Sequence, residues 1–540
     1  MKANETKMEK RVSLGIEDFK EIKKECYYVD KTLLLKDIID SPVSSFFLIT
    51  RPRRFGKSVA ASMIRTFFER DIADETDYFA DCLIAKEDPK YREYQKSFPV
   101  VSLSFKNLPS GSFSEMRQNI RDIFYEEYAR HYPLAREELD AVKDMDLIYE
   151  LTRRLSMDTQ KKAIVILDEY DAPIQSVQEA DYDSMIALLK GMYGKAFKGN
   201  PYLQYAVVFG ILKLGKESLF SGLNNALVDT VTAPLFAKEH FALTKTEVGE
   251  MLAYFDMAES LPTVQEYYGG YRFDEAGCFN PWSVFSFVRR FGRVDAYWSN
   301  TTNVSLIRKA AIDAFSSDAS ALLSGRKISI KISNASSYDA VMSNKNFFFE
   351  FLLYAGYLTI SSDLGMSAYT VCIPNKEIAS IFSGEILDVI GESPDTILVR
   401  DAFLTGDAEA VEEYLKHVVS SSFSYFDFAD WRNYQILVLS LTAVLFNDYL
   451  VKSEENASMG RADIILYPKK EGAPGLIIEV KAHDADLSKS KLQNSAKTAL
   501  RHILKQDYGS RLRERGVSSI LAYGVSFFKN KVYVASELLS

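Results

Sequence analysis

Gly56-Lys57-Ser58 follows a short apolar run, Ser45–Thr50, and precedes Val59–Phe68, where Met63, Ile64, Phe67 and Phe68 recur at helical spacing. A strand-loop-helix that turns on Gly-Lys-Ser has the parts of a phosphate cradle. Glycine lets backbone N–H groups approach phosphate oxygens, lysine reaches the terminal phosphates, serine meets Mg2+, and the helix N-terminus adds favourable dipole charge. About 110 residues downstream, the apolar run Ala163–Leu167 ends in Asp168-Glu169. Asp168 at a strand tip suits the Mg2+ shell, and Glu169 suits the polarisation of an attacking water. A carboxylate pair that only closes a strand, and a tripeptide that only opens a helix, account for each motif alone. They account less well for both in this order.

A second constellation lies near the C-terminus. Gly460-Arg-Ala-Asp463 opens one apolar run, and Ile477-Ile-Glu479-Val-Lys481 closes the next, 16 residues later. On adjacent strands Asp463 and Glu479 would sit side by side to bind Mg2+. Glu479 and Lys481, two apart on a strand, share a face. Lys481 could then orient or deprotonate a metal-bound water and neutralise charge on a scissile phosphate. The competing reading is a surface ion pair at a strand end.

The elements that must position these groups follow from periodicity. Pro99–Phe105 alternates as a half-buried strand, whereas Lys162–Leu167 and Tyr205–Leu212 read as buried parallel strands. Helical patterns at Phe113–His131, Asp144–Leu155 and Asp183–Phe197 lie between them, which implies a parallel sheet covered on both faces. After about residue 240 the pattern turns predominantly helical, with Lys245–Phe255 and Trp282–Arg290 amphipathic and serine-rich runs near 316–324 and 420–424. From Asn433 the order is helix (Tyr434–Leu450), strand (Ala462–Leu466), strand (Leu476–Val480), helix (Leu487–Lys505) and two strands (Ser519–Tyr523, Lys531–Ala535). The expected fold is therefore α/β throughout. It comprises a P-loop sheet domain at 1–240, a mainly helical lid or linker at 241–430, and an α/β domain at 431–540.

Composition bounds the function. The 540 residues are 47% hydrophobic, 13% aromatic and 26% charged, which supports sizeable cores and excludes disorder as the main state. No run of 18 apolar residues occurs, so no membrane span is expected. The N-terminal MKANETKMEKR is polar with no apolar run behind it, and Cys26, Cys82, Cys278 and Cys372 have no metal-ligand spacing. A cytoplasmic protein without structural zinc is the expectation. The net charge of −9 is uneven: residues 451–540 hold 15 Lys/Arg against 10 Asp/Glu, leaving −14 for the rest. A basic terminal segment on an acidic body is one footprint of a nucleic-acid partner.

The runs YYVDKT (27–32), RPRRFGKS (51–58), LDEYDAP (167–173), SLFSGLNN (218–225), YYGGYRF (267–273), FNPWS (279–283), YWSN (297–300), LLYAGYLT (352–359) and IPNKE (373–377) resemble the bacterial AAA-ATPase-like family. Its members carry a C-terminal PD-(D/E)XK nuclease-like domain. The resemblance implies ATP and Mg2+ as cofactors. It places nucleotide at Arg54, Phe55, Gly56, Lys57, Ser58, Val59 and Asp168, with Ser58 and Asp168 on the metal and Glu169 catalytic. In the C-terminal domain it implies Asp463 and Glu479 on a metal, with Lys481 beside them and nucleic acid as partner. It also accounts for Arg51, which stands where the common loop has its first glycine. Departures accompany it: Phe209-Gly210 and Leu212-Lys213 where a γ-phosphate-sensing polar residue is usual, Trp431 where a helix carboxylate is common, and His502 in place of a glutamine.

Several residues keep two readings. Arg53 and Arg54 suit phosphate, a neighbouring subunit in a homo-oligomer, or solvent. Asp171 suits support of the site or a helix cap. Tyr271 and Arg272 suit closure over nucleotide or packing at a junction. For Tyr467, Tyr508, Tyr523, Phe527 and Phe528, core packing is favoured over base stacking, and Arg511, Arg513 and Arg515 are either phosphate contacts or a solvated helix face. The expected function is an ATP-binding, slowly hydrolysing protein whose nucleotide state controls a Mg2+-dependent nuclease-like domain acting on DNA or RNA. The alternative is a non-catalytic ATP-dependent switch with a degenerate nuclease-like binding module.

Overall fold

The computed structural model describes residues 10–41, 45–71, 73–132, 136–211, 219, 226–235, 240–273, 277–298, 322, 327–332, 345–382, 395–422, 449–457, 460–483, 487–528 and 531–539. Two compact units divide the chain: Met1–Thr302 with Ser329–Ile378, and Asn303–Ile328 with Ala379–Ser540. The middle stretch 241–430 is thus shared between the units.

In the first unit, β1 (Phe46–Thr50), β2 (Val100–Ser104), β3 (Ala163–Asp168), β4 (Leu203–Gly210) and β5 (Ala226–Asp229) form a five-stranded parallel sheet in the order β2-β3-β4-β1-β5. Every residue of β1 and β3 is buried, the environment that a parallel sheet covered on both faces imposes and that selects continuous apolar runs. Helices α1 (Lys57–Phe68), α2 (Phe113–His131), α3 (Leu147–Thr159) and α4 (Tyr182–Phe197) supply that cover. Met63, Ile64, Phe67 and Phe68 of α1 pack on Ile164, Ile166, Val207 and Phe209. A capping box of Ser112 and Glu115 fixes the start of α2 at the residue expected from sequence. Because β4 lies between β1 and β3, the loop after β1 and the tip of β3 open on the same C-terminal edge of the sheet. Open α/β sheets bind ligands at that edge.

Further along the unit, α5 (Lys245–Tyr254), α6 (Leu261–Tyr268), α7 (Pro281–Arg289) and α8 (Lys345–Ala355) join an antiparallel hairpin of β6 (Thr359–Gly365) and β7 (Ala368–Cys372). Val248, Met251, Leu252, Val264, Tyr268, Val284 and Phe287 make the core shared by α5, α6 and α7. The hairpin was absent from the sequence expectation for a physical reason. Its turn residues Met366 and Ser367 both have positive φ, 51° and 60°, a conformation usually announced by Asn-Gly.

The second unit contains α9 (Asp395–Thr405), α10 (Ala408–Ser422) and the strands β8 (Tyr449–Ala457), β9 (Gly460–Pro468), β10 (Gly475–Ala482), β11 (Ile520–Phe528) and β12 (Lys531–Leu539), with α11 (Lys489–Lys505) crossing between β10 and β11. The sheet runs in chain order, and only β10 and β11 pair in parallel. Alternate residues serve opposite faces. Ile464, Leu466, Leu476, Ile478 and Val480 pack with Phe403, Val411 and Leu415 of α9 and α10. Ile465, Tyr467 and Ile477 pack with Leu500, Ile503 and Leu512. Gly524 lets α11 lie close to the sheet, since a Cβ there would stand 2.1 Å from the Ala496 carbonyl oxygen. One expectation is corrected. Of the helix expected at Tyr434–Leu450, residues 434–448 lie outside the described residues, and Tyr449 and Leu450 belong to β8, pairing with Pro468 and Tyr467. Antiparallel pairing overrides helical spacing there.

Candidate functional site

The loop after β1 begins with a substitution that the fold explains. Arg51 is fully buried; its guanidinium donates to the Asp229 carboxylate at 2.8 Å and to the Thr50 carbonyl at 2.9 Å. Phe241 and Phe273 face it at 5.1 and 5.4 Å. Asp229 also accepts from the Leu235 N–H at 2.9 Å. Arg51 thus pins the loop's first residue to the end of β5. Asp229 was missed in the sequence reading; the signal was a buried cation that had to find an anion.

Gly56 caps α1 in the left-handed region, φ 80°, with open space where a Cβ would stand, so the need for glycine is conformational. Lys57 is nearly buried and donates to the Arg51 and Pro52 carbonyls, both at 2.9 Å. Burial pushes its ammonium down to about 8, against the opposing pull of Asp168, Glu169 and Asp171. The Ser58 hydroxyl donates to Asp168 Oδ2 at 2.7 Å. Burial raises Asp168 above the ordinary carboxylate range, although the Ser58 hydrogen bond and Lys57 oppose it. Glu169, at φ 55°, is raised by burial and then by the neighbouring Asp168. Gly56, Lys57, Ser58, Asp168 and Glu169 therefore converge on one edge of the sheet. An oxygen pair such as Ser58 and Asp168 is what Mg2+ takes from a protein when phosphates and water complete its shell.

The other residues expected there have different positions. The Phe55 side chain is buried, edge-on to Tyr271 at 5.0 Å and to Phe273 at 5.4 Å, so it is a packing anchor and only its backbone faces the loop. Arg54 stacks its guanidinium on the Trp282 ring, 3.9 Å from the centroid. Val59, in the first turn of α1, is partly buried. Arg53 reaches the Gln175 amide oxygen at 3.5 Å. Asp171 makes no side-chain cap; it accepts from the Ile211 N–H at 3.1 Å and from Gln175, holding the end of β4. Tyr271 is buried and Arg272 exposed, in line with packing for the aromatic. Phe209 lies in the core against Phe241, while Leu212 and Lys213 lie outside the described residues.

A buried carboxylate ties the residues around Trp282 together. Glu377 accepts from the Ser283 hydroxyl at 2.8 Å and from the Trp298 N–H at 2.9 Å, and burial pushes it up to about 7. The Asn375 amide donates to the Gly269 carbonyl at 2.8 Å. In YYVDKT, Asp30 accepts from Thr32 and from the Leu83 N–H, and Lys31 pairs with Glu247 at 2.6 Å. Those motif residues hold the unit together.

In the second unit Glu479 and Lys481 lie on β10, two residues apart on the face covered by α11. Glu479 is 3% exposed; its Oε1 accepts from Lys481 Nζ at 2.8 Å and lies 2.9 Å from His502 Nδ1. Its Oε2 is buried with no hydrogen-bond partner among the described residues. A buried carboxylate oxygen without a donor fits a cation. The last paired residues before Glu479 are Ile464 and Ile478, and the next positions on the two strands are Asp463 and Glu479. The Asp463 side chain and Trp431 lie outside the described residues. His502, noticed in the sequence as a departure, is thus a direct neighbour of Glu479. Tyr467, Tyr508, Tyr523, Phe527 and Phe528 are buried, as core packing requires. Arg513 pairs with Asp507, Arg515 stacks on Tyr467 at 4.5 Å, and Arg511 is exposed.

Comparison with known proteins assigns families to two segments of the chain. Residues 13–220 match the family described as Predicted AAA-ATPase, and residues 430–537 match the PD-(D/E)XK nuclease superfamily. The chain is 24% identical over 399 residues, covering 70% of each protein, to an uncharacterized protein in the vnfD 5′ region of Azotobacter chroococcum mcd 1. No helix among the described residues is long and apolar enough to cross a membrane. The chain therefore joins a AAA-ATPase-like domain at 13–220 to a C-terminal domain of the PD-(D/E)XK nuclease superfamily.

Proposed function

We propose that this protein binds ATP with Mg2+, hydrolyses it slowly in the cytoplasm, and uses its nucleotide state to control a Mg2+-dependent nuclease-like site that acts on DNA or RNA. The observation that carries the first half is the 2.7 Å pairing of Ser58 with Asp168 beside a buried Lys57 at the C-terminal edge of a parallel sheet. Gly56 and the first backbone N–H groups of α1 cradle the phosphates; Lys57 leaves its loop carbonyls for phosphate oxygens. Arg54, Phe55 and Val59 contribute through the backbone. Mg2+ held by Ser58 and Asp168 supplies charge neutralisation at the phosphates. Glu169 accepts a hydrogen bond from the attacking water.

In the C-terminal domain Asp463 and Glu479 hold the second Mg2+ site, and Lys481 stands two residues away to neutralise charge on a phosphate. Coupling is supported by the presence of both domains on one chain. Slow turnover, and the rival reading of a non-catalytic switch, are favoured by Phe209: a buried aromatic occupies a position from which a polar residue would sense the γ-phosphate.

The test is purified full-length protein incubated with labelled single- and double-stranded DNA and RNA, with and without Mg2+ and ATP, alongside Lys57→Ala and Glu479→Ala. Cleavage that disappears in Glu479→Ala supports the nuclease. ATP binding without cleavage under every condition supports the switch. Undiminished ATP binding by Lys57→Ala removes the nucleotide-site assignment.

A further inference from the structure

Helix α11 carries Lys489, Lys491, Lys497, Arg501 and Lys505, with no Asp or Glu in its 17 residues. All five cations are exposed. None pairs with a carboxylate among the described residues, whose ion pairs in this unit involve Lys416, Lys481, His502 and Arg513. The helix has one apolar stripe, Leu492, Ala496, Ala499, Leu500 and Ile503, fixed against the sheet. At about 100° per residue, Lys491, Arg501 and Lys505 fall within about 100° of His502 around the axis and away from that stripe. They span about 21 Å along it. His502 is 2.9 Å from Glu479, and on the same side of the helix as His502 the Ser495 hydroxyl is 2.8 Å from His483 Nε2, just beyond the end of β10. The unpaired cations are thus continuous with the carboxylate site.

We infer that α11 is the surface on which the C-terminal domain holds duplex DNA, with Lys491, Arg501 and Lys505 on backbone phosphates and Lys497 flanking them. The inference rests on the nuclease-like reading of Glu479 and names the partner of that site. Three features select the duplex. Cations left without counter-charges match a polyanion and release its counterions on binding. Single strands are held by exposed aromatic platforms, and the aromatics of this domain named above are buried. A straight α-helix fits the major groove of B-form DNA or its bordering phosphates, whereas the deep, narrow groove of A-form RNA does not admit it.

The test measures binding of full-length protein to a fluorescein-labelled 20-base-pair DNA in EDTA, by anisotropy, across 50–200 mM salt. Lys491→Ala/Arg501→Ala/Lys505→Ala is compared with the parent and with Lys143→Ala/Lys190→Ala/Lys198→Ala, a control of equal charge change on the first unit; circular dichroism verifies the fold of both. The surface triple variant is expected to bind at least tenfold more weakly at 100 mM salt. Its slope of log K against log salt should be shallower by about 2 to 3, since each cation neutralises about one phosphate. The control should match the parent. An unchanged slope, an equal loss in the control, tighter binding of an RNA duplex or of a single strand, or no binding of DNA by the parent would each overturn the assignment. Failure of the nuclease reading is separate: it would appear as cleavage untouched by Glu479→Ala while the salt slope still depended on α11.

Discussion

Lys57 shows how far one side chain's chemistry depends on burial. Its ammonium is held by the Arg51 and Pro52 carbonyls, yet burial brings it down to about 8. If this cation receives phosphate, binding favours its protonated form, and nucleotide affinity falls as pH rises through 8. The expected loss between pH 7 and pH 9 is up to about tenfold, accompanied by proton uptake on binding at the upper end. Titration with a fluorescent ATP analogue at each pH reads it. A flat profile would mean that Lys57 does not meet the phosphates. The candidate residues of the phosphate loop and strand tip were legible because the proposed chemistry restricts residue type: Gly-Lys-Ser and Asp-Glu have few substitutes. Arg51 had a position in the sequence but no role until Asp229 was found opposite it, 178 residues away.

At the scale of elements, the Arg51–Asp229 pair joins the loop after β1 to the end of β5, and both side chains are fully buried. Removing one partner leaves an uncompensated buried charge. Arg51→Ala is therefore expected to lower stability by about 3–5 kcal/mol, whereas Arg51→Met with Asp229→Leu should recover most of it. Urea unfolding followed by circular dichroism measures both. A loss below about 1 kcal/mol in Arg51→Ala would mean that the pair does not hold the loop. Strands and helices of the first sheet were legible because burial on both faces leaves long apolar runs, and caps such as Ser112 mark helix starts. The hairpin β6–β7 was not, since its Met-Ser turn lacks the usual glycine or asparagine. Strand β8 was not, since its first residues carry a helical pattern that pairing with β9 overrides.

Across the whole molecule, the motif runs singled out in the sequence are scattered over some 350 residues, yet many meet near the phosphate loop: Phe55 on Tyr271, Arg54 on Trp282, and Glu377 on Ser283 and Trp298. Glu377 gives this assembly a pH dependence of defined sign. Its carboxyl sits near 7 in the folded chain, above the ordinary 4.5, so between those values the folded state keeps a proton that the unfolded chain has lost. The stability it contributes is full below about pH 4.5 and is lost as pH rises through 7, a change on the order of 3 kcal/mol. The melting temperature of the first unit should be lower at pH 8 than at pH 6, and Glu377→Gln should remove most of that difference. An identical difference in the variant would assign it to another group.

The sequence by itself determined the two domain families, the parallel order of strand and helix in the first unit, and the candidate residues at Lys57–Ser58, Asp168–Glu169 and Glu479–Lys481, because local periodicity and restricted residue types are written along the chain. Only the tertiary structure decided that Phe55 and Arg54 are anchors, that Arg51 is a strut, that His502 faces Glu479, and that the cations of α11 stand beside it with no carboxylate partner among the described residues. Each of those depends on what lies across a sheet or beneath a helix. Burial and pairing are properties of neighbours in space, and separation along the chain does not encode them.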